Sequence, residues 1–511
     1  MDGELTTPSA AIGSGTDASL SSVSSWLVLA ILFGYGAACV FLWTEGQWRL
    51  GWDTSLYVLT GRALALGEGY TYQGEPFLLR PPGWPWLISL ALPDGRFDPL
   101  VLNRLVMLFA AAAAAAIYFA LSRGRDRTLA LGLTLLAVTT PLVVERFNWV
   151  LAEFPFVTFL FLCAGCLELA GRRGRHWRWA MAGAIVFGAT AFYMRSAGLV
   201  VLPAIAFLGW SRERGAGRWS GAVPALATGL LCAPWLVYQR LAAAAAPAPA
   251  NQLLLFDYAT ATLRSDPRDP SSDWLSAGDW LSRIAENASS LGTELAGSVL
   301  GAASVPLGAL LLVLAFAGWV LAARRRLGPL EWIALAYTAL LLVYFTHAAR
   351  LVMPLIPFVY LYGAGALSAI LDRLRPGVEF AALRGRLVLA SFALLMLLNL
   401  LRLPLEPDPR HEGRWAEVRA AAEWLEQLTP EDAVVLCGPA PTFAVLTGRR
   451  TYTYYFDHSP SLVDRHGIGY ALFGTRGDTA QLEGAIAERA HSQWTISIPE
   501  LDGAYTLYEL D

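Results

Sequence analysis

Long apolar segments recur along most of this sequence, and they constrain the fold more than any other feature. A chain needs about 20 mostly apolar residues to cross a bilayer as a helix. Hydrophobic residues make up 55% of the 511 positions and charged residues only 15%, whereas soluble proteins carry about 25% charged residues. This composition excludes a disordered chain, a collagen-like fibre and a disulfide scaffold. We interpret the chain as a polytopic membrane protein.

The apolar segments predict about eleven transmembrane helices in a mainly α fold. They lie near residues 26–44, 101–122, 128–144, 150–170, 179–194, 197–211, 219–239, 299–323, 329–346, 351–371 and 387–403. Residues 1–25 are rich in Ser, Thr, Gly and Ala, which is typical of a disordered tail. The transmembrane domain is therefore expected over residues 26–403.

Arginine distribution predicts the orientation of these helices. The sequence contains no lysine, and its arginines cluster in every second loop between the predicted helices. Because cytoplasmic loops carry an excess of basic residues, we assign these loops, and the N-terminal tail with them, to the cytoplasm. Two long loops, 45–100 and 240–298, and the tail over 404–511 are then expected outside the cytoplasm.

The tail over residues 404–511 has a different pattern. Apolar residues at helical spacing over 412–428 precede a short buried-strand run at 433–436. Further strand runs and one helix follow near residues 468–473, 478–490, 494–498 and 505–510. Alternating strands and helices predict a small extracytoplasmic α/β domain. Since it lacks a nucleotide-binding glycine motif and a cluster of metal ligands, we expect it to serve docking or acceptor recognition.

The first outer loop, residues 45–100, contains the most informative sequence. Leu56, Leu59, Ala63 and Leu66 recur at helical spacing, which predicts an amphipathic helix lying in the outer membrane interface. Asp53 precedes this apolar face, and a carboxylate in that position can cap the first backbone N–H groups of a helix. Capping and a functional role both remain open for Asp53.

Six titratable residues lie in this loop or at the outer ends of predicted helices. They are Asp53, Arg80, Glu153, Arg195, His347 and Arg350. A charge near the centre of a membrane helix costs about 2.5–3.5 kcal/mol, so such residues tend to line a wet cavity and to pair with one another. Glu153 and Arg195 fit either a functional site or a structural ion pair. His347 alone fits an interfacial side chain better than a metal ligand.

The same residues belong to short motifs that occur in a fixed order. The motifs are Asp53 in the first outer loop, Gly67-Glu68-Gly69-Tyr70, Arg80-Pro81-Pro82, Leu151-Ala152-Glu153-Phe154-Pro155-Phe156, Tyr193-Met194-Arg195-Ser196-Ala197-Gly198 and Arg350-Leu351-Val352-Met353-Pro354-Leu355-Ile356-Pro357. This order resembles the GT-C superfamily of integral-membrane glycosyltransferases. Within it, the chain is most similar to the family-39 group of protein mannosyltransferases, lipid A aminoarabinose transferases and lipopolysaccharide-sugar transferases. Many members of that group have Asp-Glu in the first loop, whereas Thr54 follows Asp53 here, so the subfamily stays open.

The resemblance implies an enzyme of a bacterial inner membrane. It would move a hexosyl or pentosyl sugar, with inversion, from a polyprenyl-phosphate donor to a cell-envelope lipid, glycan or protein. The roles that the resemblance implies are Asp53 as the base and Glu153 as a second catalytic carboxylate, Arg80, Arg195 and Arg350 as ligands of the donor phosphate, and Tyr57, Tyr70 and His347 as further pocket residues.

Cofactors, partners and alternative functions follow from the same sequence. The outer loop lacks an Asp-x-Asp motif, so we expect no metal cofactor, although a divalent metal stays open. A net charge of −3 gives no indication of nucleic-acid binding, and the expected partners are membrane lipids, the lipid-linked sugar and the acceptor.

One alternative function is that of a transporter or flippase of lipid-linked sugars, which predicts inverted repeats that we do not find. Another is a non-catalytic scaffold of the same fold.

Overall fold

The computed structural model describes two parts of the chain. The described residues are 24–123, 125–172, 175–212, 222–245, 258–267, 272–300, 305–325, 327–346, 349–374, 390–391, 393–397, 401, 409–454, 459–474, 479–498 and 503–510. Most of the predicted N-terminal tail and most of the predicted last transmembrane helix (387–403) lie outside these residues.

The first part consists almost entirely of helices. They are α1 (Ser25–Ala37), α2 (Trp52–Ala65), α3 (Gly83–Ala91), α4 (Pro99–Leu121), α5 (Arg127–Val138), α6 (Pro141–Glu145), α7 (Glu153–Gly171), α8 (Trp177–Met194), α9 (Leu202–Arg212), α10 (Val223–Ala245), α11 (Tyr258–Leu263), α12 (Ala277–Leu300), α13 (Val305–Arg325), α14 (Pro329–Val343) and α15 (Ile356–Leu374). One π-helical turn, Ala38–Leu42, extends α1, and 3₁₀ turns at Ser196–Val201 and Ala349–Leu355 precede α9 and α15.

Five helical segments of the described chain are long and apolar enough to cross a membrane. They are Ser25–Leu42, Pro99–Leu121, Glu153–Gly171, Val305–Arg325 and Ala349–Leu374. Shorter apolar helices accompany them at Arg127–Val138, Ser196–Ser211 and Pro329–Val343. The predicted mainly helical membrane fold is therefore confirmed, whereas the predicted count of about eleven spans is not.

Helix α7 lies at the centre of the helical part. Most of its residues are buried, and it packs against α4, α8 and α14. Gly165 lies where α7 crosses α4, and a Cβ atom there would overlap the ring of Phe119. Small residues at such crossings let two helix backbones approach closely. This packing fixes the N-terminal end of α7, which begins at Glu153.

The C-terminal part is a small α/β unit, in agreement with the sequence pattern. Its elements are α16 (Pro409–Leu428), β3 (Val434–Cys437), α17 (Ala440–Thr447), β4 (Arg450–Tyr452), α18 (Ser461–His466), β5 (Tyr470–Gly474), α19 (Ala480–Ala487), β6 (Ala490–Ile498) and β7 (Gly503–Leu510). The sheet order is β4-β3-β5-β7-β6. Strand β3 is parallel to β4 and β5, whereas β7 is antiparallel to β5 and β6.

Helices cover both faces of this sheet because its central strands are apolar on both sides. Val435 and Cys437 of β3 pack under α16 and α17, and Leu436 between them packs under α18 and α19. Successive side chains of a strand point to opposite faces. The sequence pattern indicated β3 but missed α17, β4 and α18, since each of these elements is short.

Helix α2 of the first outer loop is enclosed by both parts of the protein. Leu56 and Ala63 are buried as the apolar face predicts, but Thr54 and Ser55 are buried too, and no residue of α2 is exposed. Helix α3 packs on α2, and so does α17 of the C-terminal part. The helix itself is confirmed, but it has no exposed polar face as an amphipathic helix would, because α3 and α17 pack on it. Its position at the membrane interface stays a prediction.

A short hairpin ties the first outer loop to the C-terminal sheet. Strands β1 (Thr71–Tyr72) and β2 (Glu75–Pro76) are joined by Gln73 and Gly74, both with positive φ, as two-residue hairpin turns require. Gln73 Nε2 donates to Thr451 Oγ1 at 3.2 Å, and Gln73 Oε1 accepts from the Thr451 backbone N–H at 3.1 Å. The loop that continues to Arg80 is thereby fixed to strand β4.

Candidate functional site

Five charged residues from separate segments meet in one place, which we call the charged cluster. They are Asp53, Arg80, Glu153, Arg195 and Arg350. Each lies at or next to the end of a helix. Asp53 is in the first turn of α2, and Glu153 is the first residue of α7. Arg80 precedes α3, Arg195 follows α8, and Arg350 lies in the 3₁₀ turn before α15.

Asp53 bridges two arginines, one on each carboxylate oxygen. Arg80 Nη2 donates to Oδ1, and Arg350 Nη2 donates to Oδ2. The N-cap of α2 is Gly51, so the capping role that the sequence left open for Asp53 is replaced by these ion pairs. The carboxylate thereby connects the loop before α3 to the turn before α15.

Glu153 forms the second ion pair of the charged cluster. Its Oε1 accepts from Arg195 Nη1 at 2.5 Å and lies 3.5 Å from Arg350 Nε. The residue is only 3% exposed. Within the described part of the chain, Oε2 of Glu153 and Nε of Arg350 are buried without a hydrogen-bond partner. The structural pairing of Glu153 with Arg195 is therefore present, and it leaves one carboxylate oxygen open to a ligand.

The guanidinium group of Arg80 is fixed by several contacts. Besides its bond to Asp53, it donates from Nε to the Tyr258 hydroxyl at 3.2 Å. Its plane lies over the ring of Tyr57, 4.7 Å from the centroid. The Tyr70 hydroxyl donates to the Arg80 backbone carbonyl at 2.9 Å. Nη1 of Arg80 is buried and has no hydrogen-bond partner among the residues described, so it is available to a ligand.

A close backbone contact places the loop of Arg80 beside the turn of Arg195. Gly83, the first residue of α3, packs on the carbonyl of Tyr193 near the end of α8. A Cβ atom at Gly83 would lie 2.6 Å from that oxygen, so a larger residue would push the two segments apart. Arg195 itself has an extended backbone between α8 and the following 3₁₀ turn, and its side chain thus reaches Glu153.

The charged cluster has one net positive charge, because three guanidinium groups face two carboxylates. Burial by itself would raise the pKa of Asp53, but the charges of Arg80 and Arg350 outweigh burial and hold that pKa well below its usual range. Asp53 is therefore ionised at neutral pH and, while both arginines bind it, a weak base. Burial raises the pKa of Tyr57 to about 12, so its hydroxyl stays protonated.

Three tyrosines that the sequence did not single out complete the surroundings of the cluster. Tyr258 binds Arg80 and packs against the ring of Tyr344, with centroids 6.1 Å apart. The Tyr337 hydroxyl donates to the Leu351 carbonyl at 2.8 Å and anchors the turn next to Arg350. Tyrosines in apolar segments carry no pattern that distinguishes these contacts from ordinary packing.

Three further residues were predicted to belong to the site, and two of them are described in the structure. Tyr57 and Tyr70 both contact Arg80, as described, whereas His347 lies outside the described residues. In the described part of the chain, no group of three or more His, Cys, Asp or Glu side chains is placed to hold a metal ion. Each carboxylate of the cluster instead binds guanidinium groups.

A small apolar cavity lies among the helices that carry the charged cluster. Its volume is about 20 Å³, and its lining includes Phe154, Val157, Met353 and Ile356 but none of the five cluster residues. Phe154 directly follows Glu153 in α7, and Met353 follows Arg350 within the same 3₁₀ turn.

Comparisons with known proteins identify the fold. Neither the protein-family models nor the curated proteins gave a match to the sequence. Among solved structures, ArnT from Cupriavidus metallidurans bound to undecaprenyl phosphate matches with a TM-score of 0.62 and 14% identity, over 95% of this chain and 98% of that chain. Both ArnT and the oligosaccharyltransferase AglB are membrane glycosyltransferases with the GT-C fold. This chain has the GT-C fold.

The archaeal AglB from Archaeoglobus fulgidus, in complex with an inhibitory peptide and a dolichol-phosphate, is a more distant match. It has a TM-score of 0.55 and 13% identity, over 94% of this chain and 74% of that chain. The resemblance to the GT-C superfamily that the ordered motifs indicated is therefore confirmed for the fold. In this GT-C chain, the motif residues Asp53, Arg80, Glu153, Arg195 and Arg350 are the five members of the charged cluster.

Proposed function

We propose that the protein is a glycosyltransferase that moves a sugar from a polyprenyl-phosphate donor to an acceptor hydroxyl, with inversion at the anomeric carbon. The observation that carries this proposal is the charged cluster with its excess of positive charge. The GT-C fold supports it, since the compared structures of ArnT and AglB contain undecaprenyl phosphate and a dolichol-phosphate.

The charge of the cluster matches the charge of the donor. A polyprenyl-phosphate sugar is a phosphodiester with one negative charge, and the cluster has one net positive charge. Arginine is suited to this role because its planar fork pairs with phosphate oxygens. The unpartnered atoms of the described cluster, Arg80 Nη1 and Arg350 Nε, are the donors that we expect to reach the phosphate first.

The isoprenoid chain of the donor would lie against the apolar helices that carry the charged cluster. Glu153 begins one of these helices, Glu153–Gly171, and Arg350 lies at the start of another, Ala349–Leu374. The lipid would therefore meet apolar surroundings beyond its phosphate. Burial of its methylene groups there contributes about 0.8 kcal/mol for each group removed from water.

The reaction is a single displacement. The acceptor oxygen attacks the anomeric carbon, the bond from that carbon to the phosphate oxygen breaks, and the electron pair leaves with the phosphate. Asp53 takes the proton of the acceptor hydroxyl in this proposal, and Glu153 holds Arg195 and faces Arg350. The departing phosphate gains a second negative charge, so guanidinium groups stabilise the transition state more than the ground state.

The proposal also covers the metal requirement, the location of the protein in the cell and the substrates. We propose that the guanidinium groups supply the positive charge that a metal ion would otherwise provide, so that transfer needs no metal. The arginine-rich alternate loops support a bacterial inner membrane protein with a cytoplasmic N-terminus and an extracytoplasmic C-terminal part. The acceptor would be a cell-envelope lipid, glycan or protein, and the sugar a hexose or pentose.

A transfer assay in proteoliposomes tests the proposed function. Labelled polyprenyl-phosphate sugars are offered with envelope extract as acceptor, and new glycosidic bonds are detected by mass spectrometry. We expect transfer with the wild-type protein and a loss of at least about 100-fold for Asp53→Asn. Movement of the labelled lipid across the bilayer without a new glycosidic bond would support a flippase and contradict the proposal.

A further inference from the structure

Asp53 occupies the guanidinium groups that a donor phosphate needs. Both of its oxygens are bound, one by Arg80 and one by Arg350. We propose that the donor phosphate displaces Asp53 from these two arginines and that the displaced carboxylate then serves as the base. The inference rests on the proposed function and adds a compulsory order, in which the donor binds before the acceptor is activated.

The shapes of the two anions make the exchange possible. A phosphodiester has two non-bridging oxygens, as a carboxylate does, and each can accept from one of the two arginines. Arg80 Nη1 and Arg350 Nε already lack hydrogen-bond partners within the described residues. These donors are buried, so the phosphate would bind them as Asp53 moves out of the cluster.

The arginines need not move when Asp53 leaves. Arg80 stays bound to the Tyr258 hydroxyl and stacked on Tyr57, and Arg350 stays beside Glu153. The side chain of Asp53 is 19% exposed, against 10% for Arg80. We therefore expect the Asp53 side chain to rotate toward its exposed side during the exchange.

The exchange turns a weak base into a stronger one. Among the described residues, the charged groups that act on Asp53 are Arg80, Arg350 and Glu153, and the titratable Tyr344 also interacts with it. Once Arg80 and Arg350 bind phosphate, Asp53 loses the two charges that hold its pKa low and faces a negative phosphate instead. Both changes raise the pKa of Asp53. The base is therefore active only when the donor is present, which protects the site from unproductive proton uptake.

Binding of undecaprenyl phosphate to the full-length protein in nanodiscs tests the exchange. If Asp53 competes with the phosphate, Asp53→Asn binds the lipid more tightly, on the order of tenfold. The matched control is Glu153→Gln, which removes the same charge and loosens Arg195 but leaves Asp53 bound to Nη2 of Arg80 and of Arg350. Unchanged or weaker binding by Asp53→Asn would overturn the exchange, and so would an equal gain in the two variants, because net charge alone would then explain it.

A second readout uses the wild-type protein and needs no variant to fold. The probe is a polyprenyl methyl phosphodiester, whose own charge does not change between about pH 4 and 7. Binding that raises the pKa of Asp53 takes up a proton, so affinity should increase as the pH falls toward the ordinary aspartate value of about 3.9. An affinity that is independent of pH would contradict the exchange.

These measurements separate the two proposals. Both readouts report binding and require no sugar transfer. If the lipid binds as expected but no glycosidic bond is ever formed, the proposed function and the role of Asp53 as a base are wrong, and only the displacement of Asp53 by phosphate stands. If transfer occurs while Asp53→Asn binds the lipid like the wild type, the exchange alone is wrong.

Discussion

The hydroxyl groups of Ser55 and Thr442 lie 3.0 Å apart in a buried contact, although 387 positions separate them in the chain. Ser55 is two residues from Asp53 on α2, and Thr442 belongs to α17. The C-terminal part thus holds the helix that carries the proposed base, and its role extends to positioning the charged cluster.

Thr442→Val tests this positioning role. The substitution keeps the volume of the side chain but removes the hydroxyl that binds Ser55, which should lower the free energy of unfolding by about 1 kcal/mol and the transfer rate by roughly threefold to tenfold. The control is Thr447→Val, because the Thr447 hydroxyl bonds to Phe443 within α17 itself. Equal effects on transfer in the two variants would contradict a specific link to α2.

Arg80→Lys tests whether the planar guanidinium group of Arg80 is needed, or only its positive charge. Lysine keeps the charge but cannot bind Asp53, Tyr258 and a phosphate at the same time, so transfer should fall roughly tenfold to hundredfold. Arg96→Lys is the matched control, since the Arg96 side chain is 89% exposed. Steady-state transfer at saturating and limiting donor measures the effect. A wild-type rate for Arg80→Lys would show that charge alone is sufficient.

Tyr258→Phe removes one hydroxyl and preserves the ring. The Arg80 Nε atom then loses its acceptor, while the stacking of the ring on Phe345 is retained. We expect the KM for the donor to rise about threefold to tenfold, with little change in thermal stability. Tyr238→Phe, on an exposed side chain that stacks on Trp235, should change neither quantity. If the two variants behave alike, Tyr258 does not position Arg80.

The loss of thermal stability at low pH measures how much the ion pairs of Asp53 stabilise the folded protein. The pKa of Asp53 is lower in the folded protein than in the unfolded chain, so the folded protein binds the carboxyl proton of Asp53 less tightly than the unfolded chain does. The stabilisation is complete well above the unfolded value of about 3.9 and is lost as the pH falls through and below it. Thermal unfolding in detergent between about pH 6 and 3 should therefore show a steeper loss for wild type than for Asp53→Asn. Parallel curves would mean that these ion pairs contribute no stability.

Chelation tests the proposal that guanidinium groups replace a metal. Transfer by protein treated with EDTA and then dialysed should remain within about twofold of the untreated rate, because arginines supply the positive charge at the leaving phosphate. Re-addition of Mg²⁺, Mn²⁺ or Zn²⁺ provides the control. A loss of activity that one of these ions restores would show that the transfer depends on a metal.

The sequence was informative where charge interrupts an apolar background. Asp53, Glu153 and Arg195 stand out because each is expensive to bury in a membrane, and the structure brings all of them into one cluster. Tyr258 did not stand out, since its contact with Arg80 joins positions 178 residues apart. A pattern within one segment holds no information about such a partner.

The burial of α2 was missed for a related reason. Local periodicity revealed the apolar face that includes Leu56 and Ala63, but the opposite face is covered by α17. The short lengths of α17 and β4 gave no periodic signal of their own. Their positions depend on the order of the strands, and local sequence does not determine that order.

The enclosure of α2 also has a consequence for biosynthesis. The helix that bears Asp53 leaves the ribosome long before Thr442, the residue 387 positions later that contacts Ser55. During that interval the apolar helices enter the bilayer while Ser55 still lacks its contact with Thr442. Completion of the charged cluster's surroundings is therefore expected late in translation, and a nascent chain that stops before α17 would be inserted but unfinished.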